Sequence, residues 1–143
     1  MPGKEEYLDS EKYEIRPRDF AAPGNIVGDI TLLNRLRRSH PALQTHLNTR
    51  FLHISDDAVL YYAKPSPDGS DMLLVMVSLD PHNSRSGHFE VPLWDFGIDD
   101  NGSIGVEDLT MGGRFRWYGK WQHITLDPDQ PYRIWRVAPG ADA

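Results

Sequence analysis

Apolar positions change their spacing once along the chain. In NIVGDITLLNRLRRS (25–39), Ile26, Ile30 and Leu33 recur at three- and four-residue intervals, with Leu32 and Leu36 beside them, which predicts one amphipathic helix. Asn25 can cap its start, Asp29 lies near the positive end of the helix dipole, and Arg35, Arg37 and Arg38 lie near the negative end. Pro41 stops the helix at about Ser39 or His40. Beyond it the period falls towards two. FLHIS (51–55) predicts a short strand and VLYYAK (59–64) a stronger one. DMLLVMVSL (71–79) is apolar on both faces, which predicts a central strand covered on both sides. PSPDG (65–69) has the chemistry of a turn and joins these last two as a hairpin. HFEVPL (88–93) alternates, with Phe89 and Val91 on one side. IGVEDL (104–109) and RFRWYG (114–119) read as strands joined by TMGG, and YRIWRV (132–137) as the last strand. WQHITLD (121–127) sets Trp121, His123 and Thr125 opposite Gln122, Ile124 and Leu126. Residues 1–24 show no clean period, and 80–87 and 94–103 read as loops.

One helix followed by seven or eight short, turn-separated strands predicts a mainly β fold, an antiparallel sandwich rather than an alternating α/β architecture. The length of 143 residues suits one such core, and 39% hydrophobic residues exclude a disordered composition. The net charge of −6 argues against a nucleic-acid surface, which needs a basic field. The absence of cysteine excludes disulfides, thiolate nucleophiles and thiolate zinc sites. No apolar run has the length of a membrane span, and residues 1–20 lack the apolar core of a signal peptide, so a cytoplasmic location is expected.

Little in the sequence has the spacing of catalytic chemistry. The six histidines, His40, His46, His53, His82, His88 and His123, follow no metal-binding motif and read as scattered surface or hydrogen-bonded residues. The acidic stretch Asp95–Asp100 lacks the ligand order and closing glutamate of a calcium loop. Glu107 and Asp108 are neighbours on a strand and point to opposite faces, a poor arrangement for a carboxylate pair. Neither a Ser–His–Asp signature nor a phosphate-binding glycine loop is present. The aromatic residues Trp94, Phe96, Trp117, Tyr118, Trp121, Tyr132 and Trp135 crowd the second half. A core or interface role is favoured for them over an exposed sugar-stacking platform, with Trp94 and Phe96 as interface anchors because they fall in a loop.

Two long, ordered runs narrow the reading. EKYEIRPRDFAAPGNI with LNRLRRSHPALQ resembles the end of the catalytic barrel of bacterial α-1,4-glucan:maltose-1-phosphate maltosyltransferases, members of the α-amylase superfamily. LLVMVSLDPHNSRSGHFEVPLWDFGI with VEDLTMGGRFRWYGKWQHITLDPDQPYRIWRV resembles the β-sandwich that closes the same enzymes. The resemblance implies a sandwich of the α-amylase C-terminal type, preceded by one helix from the end of a (β/α)8 barrel. It divides the chain into a barrel end with a donor-site loop and last helix (1–45) and a sandwich (46–143). Lys12 and Tyr13, surface residues by composition, match the lysine–tyrosine pair that contacts maltose-1-phosphate in that family. Lysine can supply charge-assisted donors to a phosphate, and a tyrosine hydroxyl can bond phosphate or sugar.

The family's nucleophile and acid/base carboxylates belong to earlier barrel strands and have no match here. The chain therefore reads as a C-terminal fragment, or a stand-alone protein derived from one, and is expected to be inactive alone. The implied partners are maltose-1-phosphate and α-1,4-glucan in the intact enzyme, together with its own barrel, which would cover Ile26, Ile30 and Leu33; a homodimer contact is a candidate as well. No cofactor and no metal is implied. The competing readings are a carbohydrate-binding sandwich module and the C-terminal domain of another α-amylase relative, such as a trehalose synthase.

Overall fold

The computed structural model describes Ile15 and residues 17–140; Lys12 and Tyr13 lie outside the described residues. Helix α1 (Val27–Ser39) starts two residues later than the periodicity predicts. Asn25 nevertheless serves its start: its Oδ1 accepts from the Val27 N–H at 2.9 Å. At the other end the His40 N–H closes on the Leu36 carbonyl at 2.9 Å, and a 3₁₀ turn over Pro41–Leu43 carries the chain away.

Eight strands follow among the described residues: β1 (Arg50–Phe51), β2 (Val59–Pro65), β3 (Met72–Ser78), β4 (Arg85–Glu90), β5 (Ser103–Asp108), β6 (Arg114–Tyr118), β7 (Trp121–Leu126) and β8 (Tyr132–Ala138). They form a six-stranded sheet in the order β1-β2-β3-β8-β5-β6 and a two-stranded sheet β4-β7, with every pairing antiparallel. The predicted sandwich is therefore formed, with the small sheet laid over one face of the large one.

Alternation decides which side chains fill the space between the sheets. Leu74 and Met76 of β3 join Tyr61, Ile104, Val106, Trp135 and Val137 from the large sheet and Phe89 and Leu126 from the small one. Phe89 stacks on Trp135 (centroids 5.9 Å apart, planes within 8°) and meets Tyr61 and Trp117 edge-on at 5.3 and 5.4 Å. Burial pushes the Tyr61 phenol well above its ordinary range, so the hydroxyl stays a donor, to the Glu90 carbonyl at 3.1 Å. On the opposite face of the large sheet, Leu73 and Val75 of β3 meet Ile134, Leu36 and Ala42. β3 is thus covered on both faces, which explains its unbroken apolar run.

Strand boundaries differ from the sequence reading in two regions, 51–55 and both ends of β4. The 51–55 strand is split. β1 pairs with β2 through Arg50 and Phe51, and the Leu52 N–H still donates to the Tyr61 carbonyl at 3.0 Å; the chain then passes to the small sheet, bridging Ile54 to Phe89. β4 starts three residues early, at Arg85, which Asp56 holds through a two-pronged contact of 2.7 and 3.0 Å. The close approach of the 54–56 segment favours the glycine at 87, because a Cβ there would sit 3.1 Å from Ile54 and 3.3 Å from the Ser55 hydroxyl, and these side chains would have to shift slightly. Pro92 lies just beyond β4, and 93–96 forms a 3₁₀ turn rather than continuing the strand.

The β2–β3 hairpin turn is closed by Asp68. Its Oδ1 accepts from the Ser66 hydroxyl (2.6 Å), the Ser70 hydroxyl (2.7 Å) and the Ser70 N–H (3.1 Å), which lowers its pKa from 3.8 to about 2. A carboxylate lowered by folding adds stability above its unfolded pKa and loses it as pH falls through the folded one. The urea midpoint of Asp68→Asn should therefore lie below that of the wild type above about pH 4, with the gap closing as pH approaches 2. A gap that is constant across this range would rule out the carboxylate as its source.

Candidate functional site

Helix α1 lies on the outer face of the large sheet and is moored at both ends. Near its start the Tyr132 hydroxyl donates to Asp29 Oδ1 at 2.6 Å; partial burial, then this bond, raise the phenol to about 12. Just past its end, His40 Nδ1 lies 3.1 Å from Asp71 Oδ2, while Arg136 Nε donates to Asp71 Oδ1 at 3.1 Å. Asp71 is buried, so the two partners together compensate a desolvated carboxylate. Between these moorings only one edge of the helix touches the sheet, through Leu36 and the half-buried Leu32.

The predicted stripe faces outward. Ile26 is 63% exposed, Ile30 49% and Leu33 38%, with Val27 exposed beside them and Phe20 in the segment before. A contiguous row of this kind marks a surface that another element covers. On the polar side of the helix, Thr31, Asn34, Arg35, Arg38 and Ser39 line a shallow concavity of about 590 Å³.

The aromatic residues divide between the readings. Trp135 is core, Trp117 and Phe96 are packed against it, and Trp94, Tyr118 and Trp121 are exposed. Of the two predicted interface anchors, Phe96 points inward and Trp94 outward. The acidic candidates have structural duties: Glu107 pairs with Arg114 at 3.1 Å, and Asp108 closes the β5–β6 turn and accepts from the Trp135 indole at 3.2 Å. Asp95 pairs with Arg50, and Asp100 with Lys120. Among the described residues, no three or more His, Cys, Asp or Glu side chains gather where a metal could sit.

The histidines are less scattered than the sequence suggests. His88 and His123 face each other across β4 and β7 with ring centroids 4.9 Å apart, and His53 stands edge-on to Trp121 at 5.9 Å. The alternation of β7 already set Trp121 and His123 on one face; the register that adds His88 and His53 needed the fold.

Helix on sheet on sheet, in this order, is a fold shared with parts of solved α-amylases. The solved α-amylase of Geobacillus thermoleovorans superposes with a TM-score of 0.62 over 87% of this chain and 25% of its own, at 12% identity. An Anoxybacillus α-amylase does so at 0.58 over the same shares and 14% identity. Residues 51–137 match the family model described as "GLGE, C-terminal", and the chain belongs to that family. Its similar relatives include the α-1,4-glucan:maltose-1-phosphate maltosyltransferases of Pseudomonas aeruginosa (52% identical over 96% of this chain) and Cereibacter sphaeroides (51% over 98%). The chain spans 21% of the length of each. Among the described residues, no helix is long and apolar enough to cross a membrane.

The mooring of α1 can be tested alone. Tyr132→Phe removes one hydrogen bond to a carboxylate and leaves the ring, so amides in the first turns of α1 should exchange roughly fivefold faster, about 1 kcal/mol, while β3 is unchanged. In the wild type the same loosening should appear as pH rises from 10 towards about 12, because a phenol raised by folding loses its contribution in that window. Uniform acceleration across the domain would contradict a local clasp.

Proposed function

We propose that this chain forms the C-terminal portion of a cytoplasmic maltosyltransferase, one that moves maltosyl units from maltose-1-phosphate to α-1,4-glucan. The observation that carries the reading is the outward apolar stripe of α1, on a helix fixed to the sandwich, in a chain matching about a fifth of the length of its relatives. The stripe is the seat of the catalytic barrel, residues 1–45 complete that barrel, and residues 46–143 brace it. Each large side chain covered there contributes roughly 1.5–3 kcal/mol, so three or four of them hold two domains together against modest polar costs.

Lys12 and Tyr13 reach the donor in this reading. The ammonium group meets the phosphate as a point charge, and the phenol bonds phosphate or sugar. The reaction retains configuration through a carboxylate nucleophile and a second carboxyl acting as acid, then base. Both are supplied by the barrel, since Glu107 and Asp108 are committed to structural contacts.

Two measurements test this. The isolated chain should release no phosphate from maltose-1-phosphate with a glucan acceptor; turnover abolished by a substitution within the chain would overturn the reading. In the barrel-containing enzyme, Lys12→Met should raise KM for maltose-1-phosphate roughly ten- to a hundredfold, the loss of one charge-assisted bond, and an unchanged KM would remove Lys12 from the donor site.

The stripe gives an independent check. Without a barrel to cover it, the isolated chain should self-associate in light scattering, and Ile30→Asp and Leu33→Asp should each return it to a monomer. A wild-type chain that is as monomeric as both variants would deny the stripe a partner.

A further inference from the structure

We propose that the outer face of the small sheet binds α-1,4-glucan chains, with Trp121 as the stacking platform. The maltosyltransferase reading enters only in the choice of glucan; the surface itself follows from the strand register. Residues 53–55, β4 and β7 lie side by side. The Ser55 N–H donates to the His88 carbonyl and the His88 N–H to the Ser55 hydroxyl, both at 2.9 Å, and the Glu90 N–H donates to the His53 carbonyl at 3.2 Å. Across the other edge of β4, Ser86 opposes Thr125, His88 opposes His123 and Glu90 opposes Trp121. Because the backbone of His88 is engaged with Ser55, the His88–His123 pair is of the non-hydrogen-bonded kind, in which side chains approach most closely. Alternation sends Ile54, Phe89 and Leu126 inward and leaves His53, Ser86, His88, Trp121, His123 and Thr125 exposed on one face.

This face measures roughly 13 Å along β4 and about 10 Å across three strands, enough for a short run of sugar rings. Its chemistry is specific. Trp121, 52% exposed, contributes an indole that the core does not use. His53 stands edge-on to it and the Lys120 ammonium lies 6.0 Å from its centroid, so the ring is held in place and loses less freedom on binding. An indole face suits the apolar C–H face of a pyranose. The surrounding groups are hydroxyls and imidazoles, which both donate and accept, as sugar hydroxyls require. The Ser86 and Thr125 hydroxyls, 2.8 Å apart, present such a pair. Lys120 is engaged by both Asp100 at 2.7 Å and Glu90 at 3.3 Å, which favours a neutral polyol over an anion.

Trp121 is the one large apolar side chain among the exposed residues of this face, which makes it a poor seat for a protein partner. The layer order leaves the face accessible. Helix α1, with its apolar stripe, lies on one side of the large sheet and the small sheet on the other, so the face of Trp121 is turned away from the stripe. A tethering site of this kind would raise the local concentration of a polymeric acceptor.

The test is affinity electrophoresis of the 143-residue chain in gels containing soluble amylose, with a maltoheptaose titration followed by indole fluorescence and amide shifts. Retardation by amylose but not by dextran, with shifts confined to 53–55, β4 and β7, is expected. Trp121→Ala should weaken binding tenfold or more, Trp121→Phe less, and His88→Ala with His123→Ala severalfold. Trp121 is exposed, and unchanged amide exchange in β3 would confirm that each variant is folded. The proposal is overturned if the wild type is not retarded, if dextran retards it equally, or if folded Trp121→Ala binds as well as wild type. Glucan binding here, together with an unchanged KM in Lys12→Met, would count against the donor-site reading alone; the reverse outcome would remove only this surface.

Discussion

Phe89 is the contact on which the two-sheet arrangement turns. It comes from the small sheet and lies flat on Trp135 of the large one, with Tyr61 and Trp117 closing around it. A two-stranded ribbon has little stability of its own, so β4 and β7 depend on what their inward side chains reach. Phe89, Leu126 and Ile124 reach the core of the large sheet, and the chain segment at Ile54 adds a third strand-like edge. The inward half of the small sheet is thereby fully committed to packing. Its outward half is free to carry polar chemistry, which explains how imidazoles, hydroxyls and an indole can share one face without harming the fold.

The other side of the large sheet follows a different rule. β3 must be buried twice, and α1 supplies the second cover with Leu36 and Leu32. Those contacts occupy one edge of the helix, while the Asp29–Tyr132 bond and the Asp71 cluster fix its rotation. Rotation is the quantity that matters, because turning α1 to bury Ile26, Ile30 and Leu33 would withdraw Leu36 from Leu73 and Val75. The exposed stripe is consequently a product of good packing beneath it and not of a poorly placed helix.

Much of this could be read in the sequence where a period was long and unmixed. The helix, the hairpin of β2 and β3 and the division of β7 into two faces follow from spacing alone. The failures are local. Residues 51–55 read as one strand because alternation survives a change of partner; nothing in FLHIS marks the point where the chain leaves one sheet for the other. β4 starts early because Asp56, 29 positions away, holds Arg85. The histidines looked scattered because His53, His88 and His123 are far apart in sequence and meet only through register, which spacing within one strand does not contain. Lys12 and Tyr13 rest on family likeness, since their surroundings in the sequence carry no period at all.

The domain therefore carries two surfaces of opposite character on opposite sides of one sheet, and the division has a physical origin. An apolar stripe can persist in a chain only where something covers it, so its natural use is a permanent interface. A polar face with one ordered indole has no such requirement. Its groups are satisfied by water when empty and by sugar hydroxyls when occupied, so it can bind and release without exposing a buried core. Permanent docking on one side and reversible contact on the other are compatible because the large sheet separates them. β3 and β8 pair along its middle and form a rigid partition between α1 and the small sheet. The stripe and the indole share no residues, so a contact made on one side of the partition need not compete with a contact made on the other.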